Sequence, residues 1–437
     1  MAGVLEQRDQ DVFQQIFEEH WEHFKKHRPY FDCAQYNDAV AKMFGCGRES
    51  GGYSEYQCFY CGHGFRRVCF SCKGTFCLSC SRSYSENVVH VVSRSLHSGV
   101  TYRHLVLTIP EQLKSYFYTN RYDGSLLSSF MRLGYECIEG IISAAKRQAL
   151  KVGCIVVVQT HGRSGGYNPH LHIILTDGGM NEKTEKWVDL GYLNYHMLHQ
   201  QWQSFLLKWV ESSFGNEVKP LVEELKRKYP KGFVAHLGEN EAPKSARGLA
   251  RYLAKYVASP PISIKRILDY DGQEVKYWYN DHKSKGKKIE TVPVFVFIGR
   301  MVQHIMPKGF QRIRYYGLQA TKTFKKWKDA IVEGIRKIGQ IVKGAYQVVG
   351  KKNYQERYKQ VSLFDPLLCP ECRTLMEVSR IWYPKYGDIY NVMDTLPLVV
   401  SEEQQDEKEG NQKSEKTSIR QPLLPGLENS FAFSAVF

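Results

Sequence analysis

Gly153-Cys-Ile-Val-Val-Val-Gln-Thr160, His161-Gly-Arg-Ser-Gly-Gly-Tyr-Asn-Pro169 and His170-Leu-His-Ile-Ile-Leu-Thr176 follow one another as strand, loop and strand. The two outer runs are rich in β-branched residues, which pack well on a pleated surface. Gly and Pro supply the turn between them, and Asp177-Gly178-Gly179 ends the second run. Two adjacent antiparallel strands joined by a glycine-rich loop are therefore expected. Upstream, Tyr102-Arg-His-Leu-Val-Leu-Thr-Ile109 reads as another strand stopped by Pro110, and residues 111–150 read as helical. Downstream, helices are expected near 195–214 and 217–228, with a short strand near 232–237. A further helix opens at Pro243 and Ser245, runs through Tyr256 and is closed by Pro260-Pro261. Strands are expected at Ile262–Leu268, Val275–Tyr279 and Val292–Ile298, then helix at 299–306. Strands and helices mixed without strict βαβ alternation favour an α+β fold around an antiparallel sheet.

The chain has 437 residues, 43% of them hydrophobic and 24% charged, which suggests about two or three domains with ordinary cores. No apolar run approaches the ~20 residues that span a bilayer, and Met1 to Gln10 lacks a basic-then-apolar layout. A soluble, cytoplasmic protein with no membrane partner is expected. The net charge of +15 gives a neutral-metabolite enzyme little, whereas Lys and Arg in excess attract polyanions. Between Lys308 and Lys359 there are 14 Lys or Arg against 3 Asp or Glu, so 14 − 3 gives +11 of the +15. Tyr315, Tyr316, Phe324, Trp327, Tyr346, Tyr354 and Tyr358 are interleaved there, as stacking platforms beside a phosphate-tracking surface would be. Residues 400–425 are polar, charged and Gln-rich, and read as a disordered tail.

His170 and His172 lie two apart on a strand, so both imidazoles leave the same face. Such a pair can grip one divalent ion and leave positions open for substrate oxygens. A third protein ligand is sought on the returning strand, where His161 is favoured and Gln159 is the alternative. Arg251-Tyr-Leu-Ala-Lys-Tyr256 sets Tyr252 and Tyr256 at i and i+4, one turn apart on one helix face. A tyrosine phenol attacks a phosphodiester once deprotonated, and the ester formed keeps the energy of the broken bond. Lys255 and Arg251 are placed to neutralise phosphate charge. Each pair alone has an ordinary structural reading, since histidines sit half-buried in many strands and the chain holds 28 tyrosines.

Six of the 12 cysteines fall between Cys58 and Cys80 as three CxxC pairs, which in a reducing compartment means metal rather than disulfides. Cys58, Cys61, Cys77 and Cys80 would make a four-thiolate zinc site, with Cys72 the alternative and Cys69 and His63 spare. Cys369-Pro-Glu-Cys372 is a lone CxxC, read as a turn with two reduced thiols rather than half of a second site. Cys137 and Cys154 read as core.

Four stretches in order resemble the two-tyrosine rolling-circle insertion-sequence transposases of the HUH endonuclease superfamily. They are Ser71-Cys-Lys-Gly-Thr-Phe-Cys-Leu-Ser-Cys80, Asn168-Pro-His-Leu-His-Ile-Ile-Leu-Thr-Asp-Gly-Gly179, Tyr252-Leu-Ala-Lys-Tyr-Val-Ala-Ser-Pro-Pro-Ile-Ser263 and Met306-Pro-Lys-Gly-Phe-Gln-Arg-Ile-Arg-Tyr-Tyr-Gly317. The resemblance implies a ferredoxin-like antiparallel sheet carrying the histidines, a small zinc-knuckle domain and a basic helical C-terminal region. It implies Mg2+ or Mn2+ on His170 and His172, Zn2+ at the N-terminal cysteines, and attack by Tyr252 or Tyr256 on single-stranded DNA at mobile-element ends. A 5′-phosphotyrosine and a free 3′-hydroxyl would result. Lys308, Arg312 and Arg314 are then candidate DNA contacts. The expected divisions are 1–95 (helical N-terminus and zinc-binding domain), 100–300 (nuclease domain) and 301–375 (basic DNA-contacting region with CxxC). A replication initiator or relaxase with the same chemistry is one rival; a non-catalytic zinc-dependent DNA-binding protein is the other.

Overall fold

The computed structural model describes residues 3–6, 11–237, 246–258, 260–281, 284, 286–337, 353, 355–356 and 365–395. The expected tail at 400–425, the helix-opening Pro243 and Ser245, and residues 338–352, 354 and 357–359 of the basic tract, with Tyr346, Tyr354 and Tyr358, lie outside the described residues.

The two strands read first are Lys151–His161 and Tyr167–Asn181, antiparallel, with Val157 opposite His172 and Gln159 opposite His170. Tyr102–Thr108 pairs with the other edge of Tyr167–Asn181, setting Val106 opposite His172 and Thr108 opposite His170. Ala235–Leu237 lies beyond Tyr102–Thr108, and helices Gly124–Lys146 and Tyr195–Phe214 form the two crossings. Chain order is thus strand, helix, strand, strand, helix, strand, and sheet order is fourth, first, third, second. That is the ferredoxin-like arrangement, in an α+β chain as expected. Ile313–Gly317 adds an antiparallel edge strand beside Lys151–His161. The sheet therefore runs past residue 300, and the region expected to be basic and helical from 301 supplies one of its strands. The helix Phe324–Lys337 follows.

Both faces of this sheet are covered, which is why its strands read as nearly continuous apolar runs rather than alternating ones. One face carries Leu171, Ile173, Leu175, Val156 and Val158 into a core with the helices Gly124–Lys146 and Tyr195–Phe214. The other carries Ile155, Val157 and Ile174 against helices Ser81–Arg94, Ala246–Ala258 and Phe324–Lys337. His170 and His172 leave the sheet on this second face, by the alternation of a strand.

A separate core joins the amino-terminal helices to the strands and helix between residues 267 and 302. Helix Val12–His27 packs on helix Val294–Val302, with Phe13 and Phe297 rings 6.2 Å apart and Phe24 and Phe295 rings 6.0 Å apart. The hairpin strands Ile267–Tyr270, Glu274–Asn280 and Lys287–Pro293 complete it. The strand expected at Val292–Ile298 is corrected here: the strand stops at Pro293 and a helix begins at Val294. Val294, Phe297, Ile298, Met301 and Val302 are all buried, at the i, i+3, i+4, i+7, i+8 spacing of one helix face. A short run of only apolar residues fits either period, and packing against Phe13 and Phe24 decides it.

Candidate active site

The strand places His170 and His172 side by side, with ring centroids 4.9 Å apart. His170 Nδ1 donates to the Asn168 carbonyl at 2.7 Å; a carbonyl only accepts, so Nε2 is left bare. His172 has a polar partner on each nitrogen: Nε2 faces Gln159 Oε1 at 3.3 Å and Nδ1 faces His104 Nε2 at 3.0 Å. Burial, then the neighbouring His170, His104 and His161, hold the His172 imidazole well below its usual value. Burial lowers His170 as well. Both rings are thus kept neutral, the form that binds a cation.

Gln159, the alternative third ligand, is the residue that the sheet register brings to His172. Its amide nitrogen donates to the Tyr256 carbonyl at 3.5 Å, which turns its oxygen towards His172. His161, the favoured third ligand, lies beyond a register shift opposite Tyr167, its ring edge-on to His304. Among the described residues no three histidine or carboxylate ligand atoms lie within 4.8 Å of one another, while His161 is near enough to His172 to help lower its pKa. His170 Nε2, His172 Nε2 and Gln159 Oε1 are the atoms here that could hold a divalent ion.

His104 was not singled out from the sequence. It lies on Tyr102–Thr108 opposite Ile174, two positions along from the Val106–His172 pair and on the same face. Its Nδ1 meets Tyr252 Oη at 2.7 Å while its Nε2 meets His172, so one imidazole joins the tyrosine helix to the histidine strand. Burial depresses its pKa to about 4, with His236 adding to the shift. The helix Ala246–Ala258 buries Leu249, Ala250, Leu253 and Ala254, which leaves Tyr252 and Tyr256 at its flank towards the histidines. Tyr256 stacks on His172 at 3.8 Å between centroids and on His104 at 5.1 Å. Burial raises the Tyr256 phenol, and the Tyr252 hydroxyl adds to that.

The remaining candidates are spread more widely. Arg251 is exposed on the tyrosine helix; the Lys255 backbone lies in that helix, and its side chain is outside the described residues. Arg312 donates to the His304 carbonyl at 2.9 Å and Arg314 to Ser128 Oγ at 2.6 Å, so both tie the edge strand to its neighbours. Lys308 is exposed, in a stretch from His304 to Ile313 that lines a cleft of ≈ 520 Å³ against Lys42, Cys72 and Cys77.

The cysteines form two groups, which corrects the single foursome of Cys58, Cys61, Cys77 and Cys80. Cys77 and Cys80 converge with Cys46 and Cys72, while Cys58 and Cys61 converge with Cys369 and Cys372, each set within 4.8 Å. The strands Tyr53–Gln57 and Phe65–Cys69 run between them and carry the first CxxC pair away from the third. In the first group Cys46 Sγ lies 3.2 Å and Cys72 Sγ 3.5 Å from Cys80 Sγ. Sulfurs bound at ~2.3 Å around a tetrahedral zinc are about 3.8 Å apart, whereas a disulfide needs ~2.05 Å. Both distances are far beyond a disulfide and nearer the zinc edge, which they fall somewhat short of. Cys46 had no CxxC partner to mark it, only its place in Gly45-Cys-Gly47. Cys369 and Cys372, read as two reduced thiols in a turn, instead face Cys61 and Cys58.

Residues 153–326 match a family model described as "Putative transposase", and residues 16–109 match one described as "Transposase zinc-binding domain". The chain is 28% identical over 312 residues to the transposase for insertion sequence element IS801 of Pseudomonas savastanoi pv. phaseolicola, covering 68% of this chain and 74% of that one. It is 25% identical over 338 residues to "Putative transposase y4qJ" of Sinorhizobium fredii (strain NBRC 101917 / NGR234), covering 74% and 83%. No solved structure matches. The first model spans His170, His172, Tyr252 and Tyr256; the second spans Cys46, Cys72, Cys77 and Cys80 but only Cys58 and Cys61 of the other group. Among the described residues no helix is long and apolar enough to cross a membrane.

Proposed function

We propose that this chain, which belongs to the IS91-family transposases with an amino-terminal zinc-binding domain, cuts and rejoins single-stranded DNA at insertion-sequence ends through tyrosine–phosphate esters. The observation that carries the reading is the line Tyr252, His104, His172, Gln159, whose polar atoms meet at 2.7, 3.0 and 3.3 Å. In one set of tautomers every donor has an acceptor: Tyr252 O–H donates to His104 Nδ1, His104 Nε2–H to His172 Nδ1, and His172 Nε2–H to Gln159 Oε1. Moving one proton along that line leaves Tyr252 as phenolate, with His104 Nδ1–H donating to it. His172 then holds its proton on Nδ1, and its Nε2 is bare once the Nε2 proton has passed to water. Two neutral imidazoles can do this without either becoming a cation, consistent with the buried, depressed His104.

His170, His172 and Gln159 would hold Mg2+ or Mn2+, which when bound supplies positive charge to a phosphate oxygen of the scissile linkage. The Tyr252 oxygen attacks the phosphorus, the P–O3′ bond breaks, and the 3′-oxygen leaves and takes a proton from water. The product is a 5′-phosphotyrosine and a 3′-hydroxyl. Tyr256, stacked against His172, is the second acceptor for a second strand end. Lys255, Arg251 and Lys308 would neutralise backbone phosphates, and exchange of the ester onto a 3′-hydroxyl rejoins DNA without ATP.

The test is a suicide single-stranded oligonucleotide carrying an element end, incubated with the protein and Mg2+, followed by mass spectrometry of the tyrosine peptide. A covalent adduct on Tyr252 or Tyr256 is expected, lost in the Tyr252→Phe, Tyr256→Phe double variant while DNA binding persists. An adduct that survives the double substitution places the nucleophile elsewhere.

A further inference from the structure

We infer that Cys58, Cys61, Cys369 and Cys372 form a second tetrathiolate zinc site, a clasp that fixes the segment 365–395 to the amino-terminal zinc-binding unit. Cys58 Sγ lies 3.5 Å from Cys372 Sγ and Cys61 Sγ 3.6 Å from Cys369 Sγ. Both distances fall near the ~3.8 Å edge of a zinc tetrathiolate and far beyond a disulfide bond. The two turns that carry the sulfurs are built alike. Cys58 N–H donates to Gly64 O at 2.8 Å and Gly62 N–H to Cys58 O at 3.0 Å; Cys369 N–H donates to Thr374 O at 2.8 Å and Arg373 N–H to Cys369 O at 3.0 Å.

The residue after the second cysteine is left-handed in each turn, with φ 70° at Gly62 and φ 62° at Arg373. Arginine adopts that region at a cost of about 1–2 kcal/mol, so the second turn is held to a shape its own sequence does not favour. The approach between the turns also depends on Gly64, where a Cβ would stand 2.5 Å from Cys369 Sγ.

Apolar packing at this junction is slight. Cys58, Cys369 and Met376 are its buried members, with Tyr56, Cys61 and Cys372 partly buried around them. Yet the segment's strand Glu377–Tyr383 pairs along Tyr53–Gln57, and Trp382 stacks on Tyr53 at 5.6 Å. A core this small needs a metal to hold two pieces of chain together, as in other minimal zinc units. The ligands come from opposite sides of the nuclease sheet in sequence, 308 residues apart between Cys61 and Cys369. The clasp therefore fixes the described segment that follows the basic tract in sequence.

Zinc counted by elemental analysis of the purified full chain should be two per protein, and one per protein for the Cys369→Ser, Cys372→Ser double variant. Cys46→Ser with Cys72→Ser should likewise keep one, held by the clasp. In the Cys369/Cys372 variant, amide exchange should speed in 53–57 and 377–383 while Tyr102–Thr108 keeps its protection. One zinc per wild-type chain overturns the inference without recourse to any variant. So does retention of two zincs by the Cys369/Cys372 variant, or a Cys58–Cys372 disulfide in protein purified under reducing conditions.

Discussion

His104 is buried, and it matters because it touches both halves of the proposed site. Its loss should therefore resemble partial loss of the nucleophile. His104→Ala is expected to slow adduct formation about 10²- to 10³-fold in single-turnover assays, within the range for a positioned proton-transfer group. DNA affinity should stay within about twofold. On a Tyr252→Phe background, where the line has lost its first member, the same change should slow the residual Tyr256 reaction much less. Equal slowing in both backgrounds would mean that His104 acts on the fold rather than on Tyr252. Nothing in the sequence marked this residue: it is a single histidine in an apolar strand, 68 positions from His172. His170 and His172 were legible because strand alternation alone sets them on one face, and Tyr252 with Tyr256 because helix spacing does. The partner that joins the two pairs depends on which strands are neighbours and in what register, and local pattern carries neither.

The histidine strand is positioned by the element beneath it. Helix Gly124–Lys146 crosses under the sheet with Gly134 against the strand, where a Cβ would meet Leu171 Cδ1 at 2.6 Å, Ile173 Cδ1 at 3.4 Å and Leu107 Cδ1 at 3.5 Å. Leu171 stands between the two histidines, so overpacking here lifts the residues that carry the site. Gly134→Val should cost about 1–3 kcal/mol in urea unfolding and reduce cleavage more than DNA binding. Gly134→Ala should cost less, because the closest atom is the end of a flexible side chain. A valine variant as stable as the wild type would show that helix and strand are not in close contact. The helix itself was expected, as were most strands, since their periods are long and regular. Val292–Ile298 was misread because seven residues of one polarity do not distinguish periods. The split of the cysteines was hidden for a related reason: CxxC spacing defines a half-site, while its other half is chosen by which strands pair, here Tyr53–Gln57 with Glu377–Tyr383.

At the scale of the whole molecule, the histidine-bearing sheet is held between units built from distant sequence, and His304 is one of the pins. It follows helix Val294–Val302, itself packed on the amino-terminal helices, and reaches the loop between the two central strands. His304 Nε2–H donates to Gly165 O at 2.9 Å, and Nδ1 accepts from Thr160 Oγ1 at 3.1 Å. Burial depresses its pKa from 6.5 to about 4. Unfolded chain therefore takes up a proton at this ring before folded chain does. Between those two values the unfolded state binds more protons, so stability rises with pH; the contribution is complete above about 6.5 and is lost as pH falls towards 4. His304→Gln keeps an amide but cannot titrate. It should be the less stable protein at pH 7.5, where the imidazole makes both bonds. At pH 5 the wild type has lost about 2 kcal/mol of this ring's contribution and the variant none, at about 1.4 kcal/mol per pH unit below 6.5. Other titrating groups, the zinc thiolates and His97 included, are common to both proteins and cancel in the difference. Urea unfolding of the pair at pH 7.5 and pH 5 should show the gap narrowing by about that amount. A gap unchanged between the two pH values would mean that the His304 ring is solvated or already charged in the folded state, so that its bonds to Gly165 and Thr160 do not depend on a buried neutral imidazole.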